Sequence, residues 1–373
     1  MSHEHDSDSD DNNDSNNQDG GSDNRNGGGE QGFLSELWDA VSPRTVALVV
    51  GVLALQLGFI LSYVGAFHAP RPHSIPVALV APASTSAQLV AKLNAIEGSP
   101  IKVDAVETEA VARQKILDTS RSGALIVDPT GKQDRLLIAS GGGTSVASAV
   151  EQVVQQAEAS QQRTVAVEDV VPLQSGDGRG LTGFYLVIGW IVGGYLVAAL
   201  LGVSKGARPA TPRRALIRLL AVAPYAIASG FGGALIVDQI LGALTGHFVA
   251  LWWLGALIVY ASAAVTMAFQ VLFGVLGIGI TVLVFVVLGN PSAGGAYQPS
   301  LLPPFWRAMS FLLPNGAGTD TVRRIVYFDG VGIGWHLLVI AAYAIGGTAV
   351  ALGASRAHQR RALAGDRETG LLV

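Results

Sequence analysis

The chain has 373 residues, of which half are hydrophobic and only 14% are charged. A soluble globular protein usually carries about 25% charged residues, so the charge that a water-exposed surface requires is missing and a membrane protein is indicated. The lack of cysteine excludes disulfides and cysteine nucleophiles, and a net charge of −4 excludes a strongly basic nucleic-acid-binding protein.

The first 32 residues hold nine of the 28 acids but a single base, Arg25. This segment of Asp, Asn, Ser and Gly has no apolar periodicity, which predicts a disordered, acidic cytoplasmic tail. In residues 33–44, Leu37, Trp38 and three further apolar residues recur at helical spacing. That segment is predicted to be a short interfacial helix leading into the membrane.

Six apolar stretches without Lys, Arg, Asp or Glu come next, each close to the about 20 helical residues that cross a bilayer. They are residues 45–67, 181–203, 219–237, 248–268, 271–288 and 331–352. Only Phe269 and Gln270 separate the fourth from the fifth, which predicts a tight hairpin there. The expected fold class is an α-helical polytopic membrane protein with six transmembrane helices.

Basic residues near the ends of the spans predict the orientation, because Lys and Arg collect on the cytoplasmic side. The predicted loop 204–218 carries five of them: Lys205, Arg208, Arg213, Arg214 and Arg218. The tail 353–373 carries four arginines. Both termini are therefore expected in the cytoplasm, and residues 68–180 and 289–330 outside, with Arg71, Arg323 and Arg324 as exceptions to the rule.

Residues 68–180, between the first two spans, are predicted to contain an extracytoplasmic α/β domain. Buried strands and amphipathic helices alternate there in the order β-α-β-α-β-β-α-β, which implies a partly parallel sheet covered by helices. A glycine-rich stretch at 140–145 lies between a strand and a helix but has no Walker lysine, so it is interpreted as a flexible loop with a helix cap. If the protein uses ATP, a separate subunit must hydrolyse it.

Among the polar residues in or beside the spans, two are candidates for a functional role: Gln56 in the first span and Asp238 at the end of the third. A buried carboxylate in lipid is often a proton relay, but Asp238 lies close enough to the outer boundary to reach the interface, and that interpretation is favoured. Glycine pairs such as Gly189 and Gly193 favour close helix packing within one subunit, with a dimer seam as the alternative.

Residues 289–330 are too polar to span the bilayer and too apolar for an ordinary exposed loop. Two short helices are predicted at 304–313 and 318–327, divided by Pro314 and the two residues after it. Non-helical backbone at membrane depth is tolerated only when protein or a water-filled cavity covers it, and a re-entrant pair of half-helices satisfies that condition. Two helices lying on the membrane surface are the alternative.

This segment carries a leucine–proline step, an aromatic-rich helix, a central proline and an Arg-containing helix before the last span. Together with the six spans, the large domain after span one and the basic loop, it resembles the permeases of the ABC-2 exporter superfamily. The resemblance is to the branch that contains the phage-infection-protein-like permeases. It implies a dimeric permease in the bacterial inner membrane, driven by a cytoplasmic ABC ATPase subunit that this chain lacks.

The expected function is export of a lipid-like or amphiphilic substrate, without cofactor, metal or enzymatic activity of the chain itself. Candidate residues for ATPase docking are Leu37, Trp38, Lys205, Arg208, Arg213, Arg214 and Arg218. Candidates for an outer gate are Pro304, Trp306, Pro314, Gly318 and Arg323. A membrane-anchored envelope scaffold that acts through the external domain is the alternative, and an intramembrane enzyme is third.

Overall fold

The computed structural model describes Gly32 and residues 42–208 and 211–370. These residues are mostly helical and include five helices long and apolar enough to cross a membrane, consistent with a polytopic membrane protein. Its chain divides into two compact units, Met1–Ala54 and Leu55–Val373. Residues 33–41 of the predicted interfacial helix, with Leu37 and Trp38, and the predicted acidic tail other than Gly32 lie outside the described residues, whereas Pro43 and Arg44 belong to the first long helix.

An α/β domain follows the first helix, and its elements come in the order that the sequence predicts. They are α1 (Pro43–Phe67), β1 (Ile75–Val80), α2 (Ala83–Asn94), β2 (Ile101–Ala105), α3 (Glu109–Leu117), β3 (Gly123–Ile126), β4 (Gln133–Ile138), α4 (Thr144–Ala159) and β5 (Thr164–Asp169). The five strands form one sheet in the order β2-β1-β3-β4-β5. Only β3 and β4 pair antiparallel, because a short turn joins them while helices join the parallel strands.

The remaining chain forms a helical bundle. Its elements are α5 (Thr182–Lys205), α6 (Pro212–Ala234), α7 (Phe248–Phe273), α8 (Leu276–Val282), α9 (Pro304–Leu312), α10 (Pro314–Tyr327) and α11 (Gly334–Gly370). Helix α6 continues as a π-helical turn to Ile240, and α8 continues through a π-helical turn to Ser292.

Three predicted boundaries are wrong. The basic loop is helical from Pro212, since the Thr211 hydroxyl accepts a hydrogen bond from the Arg214 amide and caps the helix. The turn between the fourth and fifth apolar stretches lies at Gly274, whose φ of +66° ends α7, and not at Phe269 and Gln270. Helix α11 runs on through most of the predicted basic tail.

The helix that corresponds to the fifth predicted span, Leu276–Ser292, is shorter than the five candidate spans. Its first apolar residues, predicted at 271–273, belong to α7. Among the residues that the structure describes, five helices therefore have the length expected of a span.

The α/β domain lies at one end of the bundle. The basic residues of the predicted loop 204–218 lie at the other end. Near the domain, the Asp177 carboxylate accepts a hydrogen bond from the Thr182 amide at the start of α5. The Gln174 side chain accepts one from the Thr245 amide after α6. At the far end, Arg208 donates to the Leu272 carbonyl close to the end of α7. A helix of the length of α5 separates these two ends by about 36 Å.

Small residues let the other spans approach α7, the most buried candidate span. A Cβ atom added at Gly194 would lie 2.4 Å from the Val259 carbonyl oxygen, and one at Gly230 would lie 2.4 Å from the Trp252 carbonyl oxygen. In contrast, Gly189 of the predicted seam has no atom within 4 Å of its Cβ position. The glycines therefore serve packing within the subunit at some positions and leave open surface at others.

Candidate functional site

Helix α10 lies inside the bundle, although its sequence is too polar for a span. Eleven of its fourteen residues are buried, among them Asn315, Thr319 and Arg323. It packs against α5, α7 and α11. The alternative of two helices on the membrane surface is therefore wrong for α10.

The break between α9 and α10 is tighter than predicted. Asn315 and Gly316 are helical, and a single extended residue, Leu313, separates the two helices. Pro314 sits at the first position of α10, where its missing N–H is not needed. The turn is compact because Gly316 approaches the Ser310 carbonyl: an added Cβ would lie 2.1 Å from that oxygen.

Polar side chains repair the irregular backbone after α8. The π-helical turn Leu283–Leu288 interrupts regular α-helical hydrogen bonding. The buried Asn315 side chain donates to the Phe285 carbonyl at 2.9 Å, and the Ser62 hydroxyl of α1 donates to the Val287 carbonyl. Such partners allow a helix to deviate at membrane depth.

A cluster of ionisable groups surrounds Asp320 on α10. Its carboxylate lies 2.6 Å from Arg324 Nε, 3.1 Å from His336 Nε2 and 3.4 Å from Arg323 Nη1. Burial raises the pKa of the Asp320 carboxyl, but the charges of the two arginines outweigh burial and hold that pKa below its ordinary value. Asp320 is therefore an anion shared by several cationic or basic groups.

The same helix holds the α/β domain by hydrogen bonds. Arg324 donates to the Thr119 hydroxyl at 2.6 Å, and Tyr327 donates to the Asp177 carboxylate at 2.8 Å. Burial, reinforced by Asp177, raises the pKa of the Tyr327 phenol well above its ordinary value, so the phenol remains a donor. Asp177 also accepts from the Thr182 amide, so one carboxylate joins α10 to the start of α5.

The glycine-rich stretch at 140–145 also docks onto this segment and is not the free loop expected from the sequence. Gly141 is buried, and a Cβ there would lie 2.7 Å from the Tyr327 ring. The Gln298 side chain accepts hydrogen bonds from the Ser145 hydroxyl and the Val146 amide, so it caps α4 from a distant part of the chain.

Apolar contacts complete the junction. Leu301 belongs to the core on one face of the sheet, together with residues of α2 and α4. Phe328, just after α10, belongs to the core on the opposite face, together with Ile116 of α3. The segment 289–330 therefore supplies side chains to both faces of the α/β domain.

The structure distributes the outer-gate candidates over several contacts. Pro304 is exposed at the start of α9, whereas Trp306 is buried against Ala66 of α1. Gly318 lies where α10 meets α5 and α7, since an added Cβ would be 2.8 Å from a Val187 methyl group.

Pro314 begins α10, and Arg323 donates to the Gly294 carbonyl. Together with the Gly318 contact, these positions place three of the five candidates on one buried helix. The other two, Pro304 and Trp306, lie in the first turn of α9.

The basic docking candidates differ in their surroundings. Arg218 donates to the carbonyls of Lys205 and Gly206, and thereby satisfies the end of α5. Arg213 and Arg214 are exposed in the first turn of α6, where a positive charge opposes the helix dipole. Their position is therefore not explained by stability of that helix.

The two intramembrane candidates are also unlike each other. Gln56 is exposed on α1. Asp238 is only 6% exposed, so its side chain is buried within the protein, and its place at the outer interface stays a prediction. The chain turns back at Gly242, and the amides of Ala243 and Leu244 donate to the Val237 carbonyl, which accounts for the burial of this helix end.

Several residues of the junction were missed by sequence reasoning: Asp177, Gln298, Asp320, Arg324 and Tyr327. The Asp320–Arg324 spacing on a predicted helix is the one available signal, because residues four apart face each other. Among the described residues, no cluster of three or more His, Asp or Glu side chains is arranged to hold a metal ion.

No protein-family model, no curated protein and no solved structure matches the chain.

Proposed function

We propose that the chain is the permease subunit of an ABC-type exporter that moves a lipid-like or amphiphilic substrate across the bacterial inner membrane. The observation that carries the proposal is α10, a polar helix buried among α5, α7 and α11 and joined by Arg324 and Tyr327 to the α/β domain. A buried, interrupted segment of this kind suits a pathway that must open and close.

In this proposal Leu276–Ser292, fifth in chain order, brings the number of transmembrane helices to six. Its 17 residues suffice to cross a thin part of the bilayer. The α/β domain is extracytoplasmic, and the basic end of the bundle and both termini are cytoplasmic. The separation of the domain from Arg208 and Arg213 at opposite ends of the spans supports that orientation.

Single cysteines test the orientation, because the natural chain has none. We expect a membrane-impermeant maleimide to label Lys132→Cys, in the exposed turn before β4, on intact cells. Arg213→Cys should be labelled only after the membrane is permeabilised. The reverse pattern would overturn the proposed topology.

A cytoplasmic ABC ATPase is the proposed partner, and a homodimer or paired permease the proposed assembly. Arg213 and Arg214 are the docking residues for this ATPase, because both are exposed and neither is required for the stability of α6. The tagged full chain, purified in mild detergent, should retain a Walker-motif ATPase in stoichiometric amount. The double variant Arg213→Glu and Arg214→Glu should lose it, whereas Lys102→Glu with Lys132→Glu, an equal charge change on the domain, should not.

An envelope scaffold remains the second candidate because of a cavity in the α/β domain. The cavity of about 530 Å³ lies outside the carboxyl ends of β1 and β3, where the strand order reverses, which is the usual ligand position in open α/β sheets. A preparation without ATPase, but with an envelope protein bound through this domain, would favour the scaffold over the permease.

A further inference from the structure

A second cavity lies between the α/β domain and α10. Its volume is about 120 Å³, several times what one buried water needs. The domain contributes Thr119, Arg121 and Ser122 to its wall, and α10 contributes Asp320, Arg323 and Arg324. Apolar atoms of Ile116 and Phe328 are among those that close the remainder.

Positive charge exceeds negative charge around this cavity. Among the described residues, three guanidinium groups and one carboxylate, that of Asp320, line it, and Asp104 pairs with Arg121 at 2.6 Å from outside the lining. Asp320 is already shared by Arg323, Arg324 and the imidazole of His336. Because Arg323 is only 8% exposed, a counter-charge is required close by.

One arginine of the wall keeps an unpaired donor. Arg121 donates through Nη1 to the Ser120 carbonyl and through Nη2 to Asp104, but among the described residues its buried Nε–H has no hydrogen-bond partner. A buried donor without an acceptor is costly, so an acceptor bound beside Arg121 that reaches this N–H would be stabilised. Water would satisfy the N–H but would leave the excess charge uncompensated.

We propose that this cavity binds one oxyanion, a phosphate or carboxylate group, between Arg121 of the α/β domain and Arg323 and Arg324 of α10. Guanidinium groups bind such planar or tetrahedral oxygen groups in pairs of hydrogen bonds. The oxyanion thereby clamps the domain to the buried helix. This binding concerns the junction itself and holds whether or not the chain is a permease.

The test uses the purified full chain in neutral detergent, with inorganic phosphate added at constant ionic strength. We expect a saturable rise of the melting temperature and one phosphate per chain in equilibrium dialysis. A parallel series adds a short-chain anionic phospholipid in place of phosphate. A response to that lipid alone would assign the oxyanion to a headgroup, and a response to phosphate would assign it to a free ion.

Matched variants locate the site. Arg121→Gln and Arg324→Gln should weaken phosphate binding at least about tenfold, since hydrogen bonds to charged groups are the strong ones. Arg135→Gln, which removes an exposed arginine of the same domain from outside the cavity, should leave it unchanged. Asp320→Asn should tighten it, because the competing carboxylate is gone.

Arg121→Lys keeps the charge without the Nε–H, and serves as the second variant if Arg121→Gln does not fold. It should still bind phosphate, but more weakly than the natural chain. The proposal is overturned if the natural chain binds neither phosphate nor the anionic phospholipid saturably, or if all variants bind the responding ligand as Arg135→Gln does.

Discussion

Asp320 is the group on which the junction of α10 depends, and its removal provides the sharpest test of that arrangement. Asp320→Asn keeps the shape of the side chain but removes the charge that faces Arg324 at 2.6 Å and Arg323 at 3.4 Å. Breaking a buried ion pair by removing one partner costs about 3–5 kcal/mol. Because the Asp320 side chain is 30% exposed, we expect a smaller loss than that range, about 2–3 kcal/mol.

The measurement is thermal unfolding of the purified full chain in detergent and phosphate-free buffer, followed by tryptophan fluorescence. For a chain of this size the expected loss corresponds to a fall of about 3 °C in melting temperature. Hydrogen exchange should also accelerate in α10 and around Thr119, which Arg324 contacts.

Asp329→Asn is the matched control, nine positions along the chain. Asp329 is exposed and has a φ of +49°, a conformation that asparagine adopts readily, so its melting temperature should not fall. Equal melting temperatures for the two variants, or faster exchange without any change at Thr119, would refute the reasoning that Asp320 joins α10 to the domain.

Two further predictions concern packing and pH. Gly230→Ala should destabilise the bundle by about 1–3 kcal/mol because the new methyl group meets the backbone of Trp252, whereas Gly232→Ala, with open space, should be neutral or stabilising; equal melting temperatures would contradict the helix contact. Burial and the charge of Asp134 raise the pKa of Glu158 from 4.5 to about 7. The native state therefore holds a proton that the unfolded state loses, so the stability linked to Glu158 is full below pH 4.5 and lost as pH rises through 7. Glu158→Gln should exceed the natural chain in stability by up to about 3 kcal/mol at pH 8 and be nearly equal to it at pH 4; a difference independent of pH would contradict this prediction.

The junction at α10 couples the α/β domain to the helical bundle, two parts of different composition. Arg324 and Tyr327 on α10 contact the α/β domain, and Gln298 caps its helix α4. A displacement of α10 therefore strains contacts of the domain directly. In a permease, such contacts would link an outer domain to the opening of the path.

The amino-acid sequence by itself determined the membrane class and the succession of elements. Charge is scarce, and apolar stretches of bilayer length leave few alternatives to transmembrane helices. Within the α/β domain, the alternation of short β-branched runs with amphipathic segments predicted all five strands, because these patterns depend only on near neighbours. Helix boundaries were predicted less accurately, because a single residue decides where a helix begins or ends. The Thr211 cap begins one helix, and the positive φ of Gly274 ends another.

Only the tertiary structure decided the burial of α10 and the composition of the junction. Arg324 and Thr119 are 205 positions apart, and Ser62 and Val287 are 225 positions apart. Local sequence periodicity cannot predict such a pair, because each side chain is equally compatible with its own helix when it is exposed to solvent. The polar residues of α10 look like those of a surface helix in the sequence, and become a buried junction because the α/β domain and the spans supply their partners.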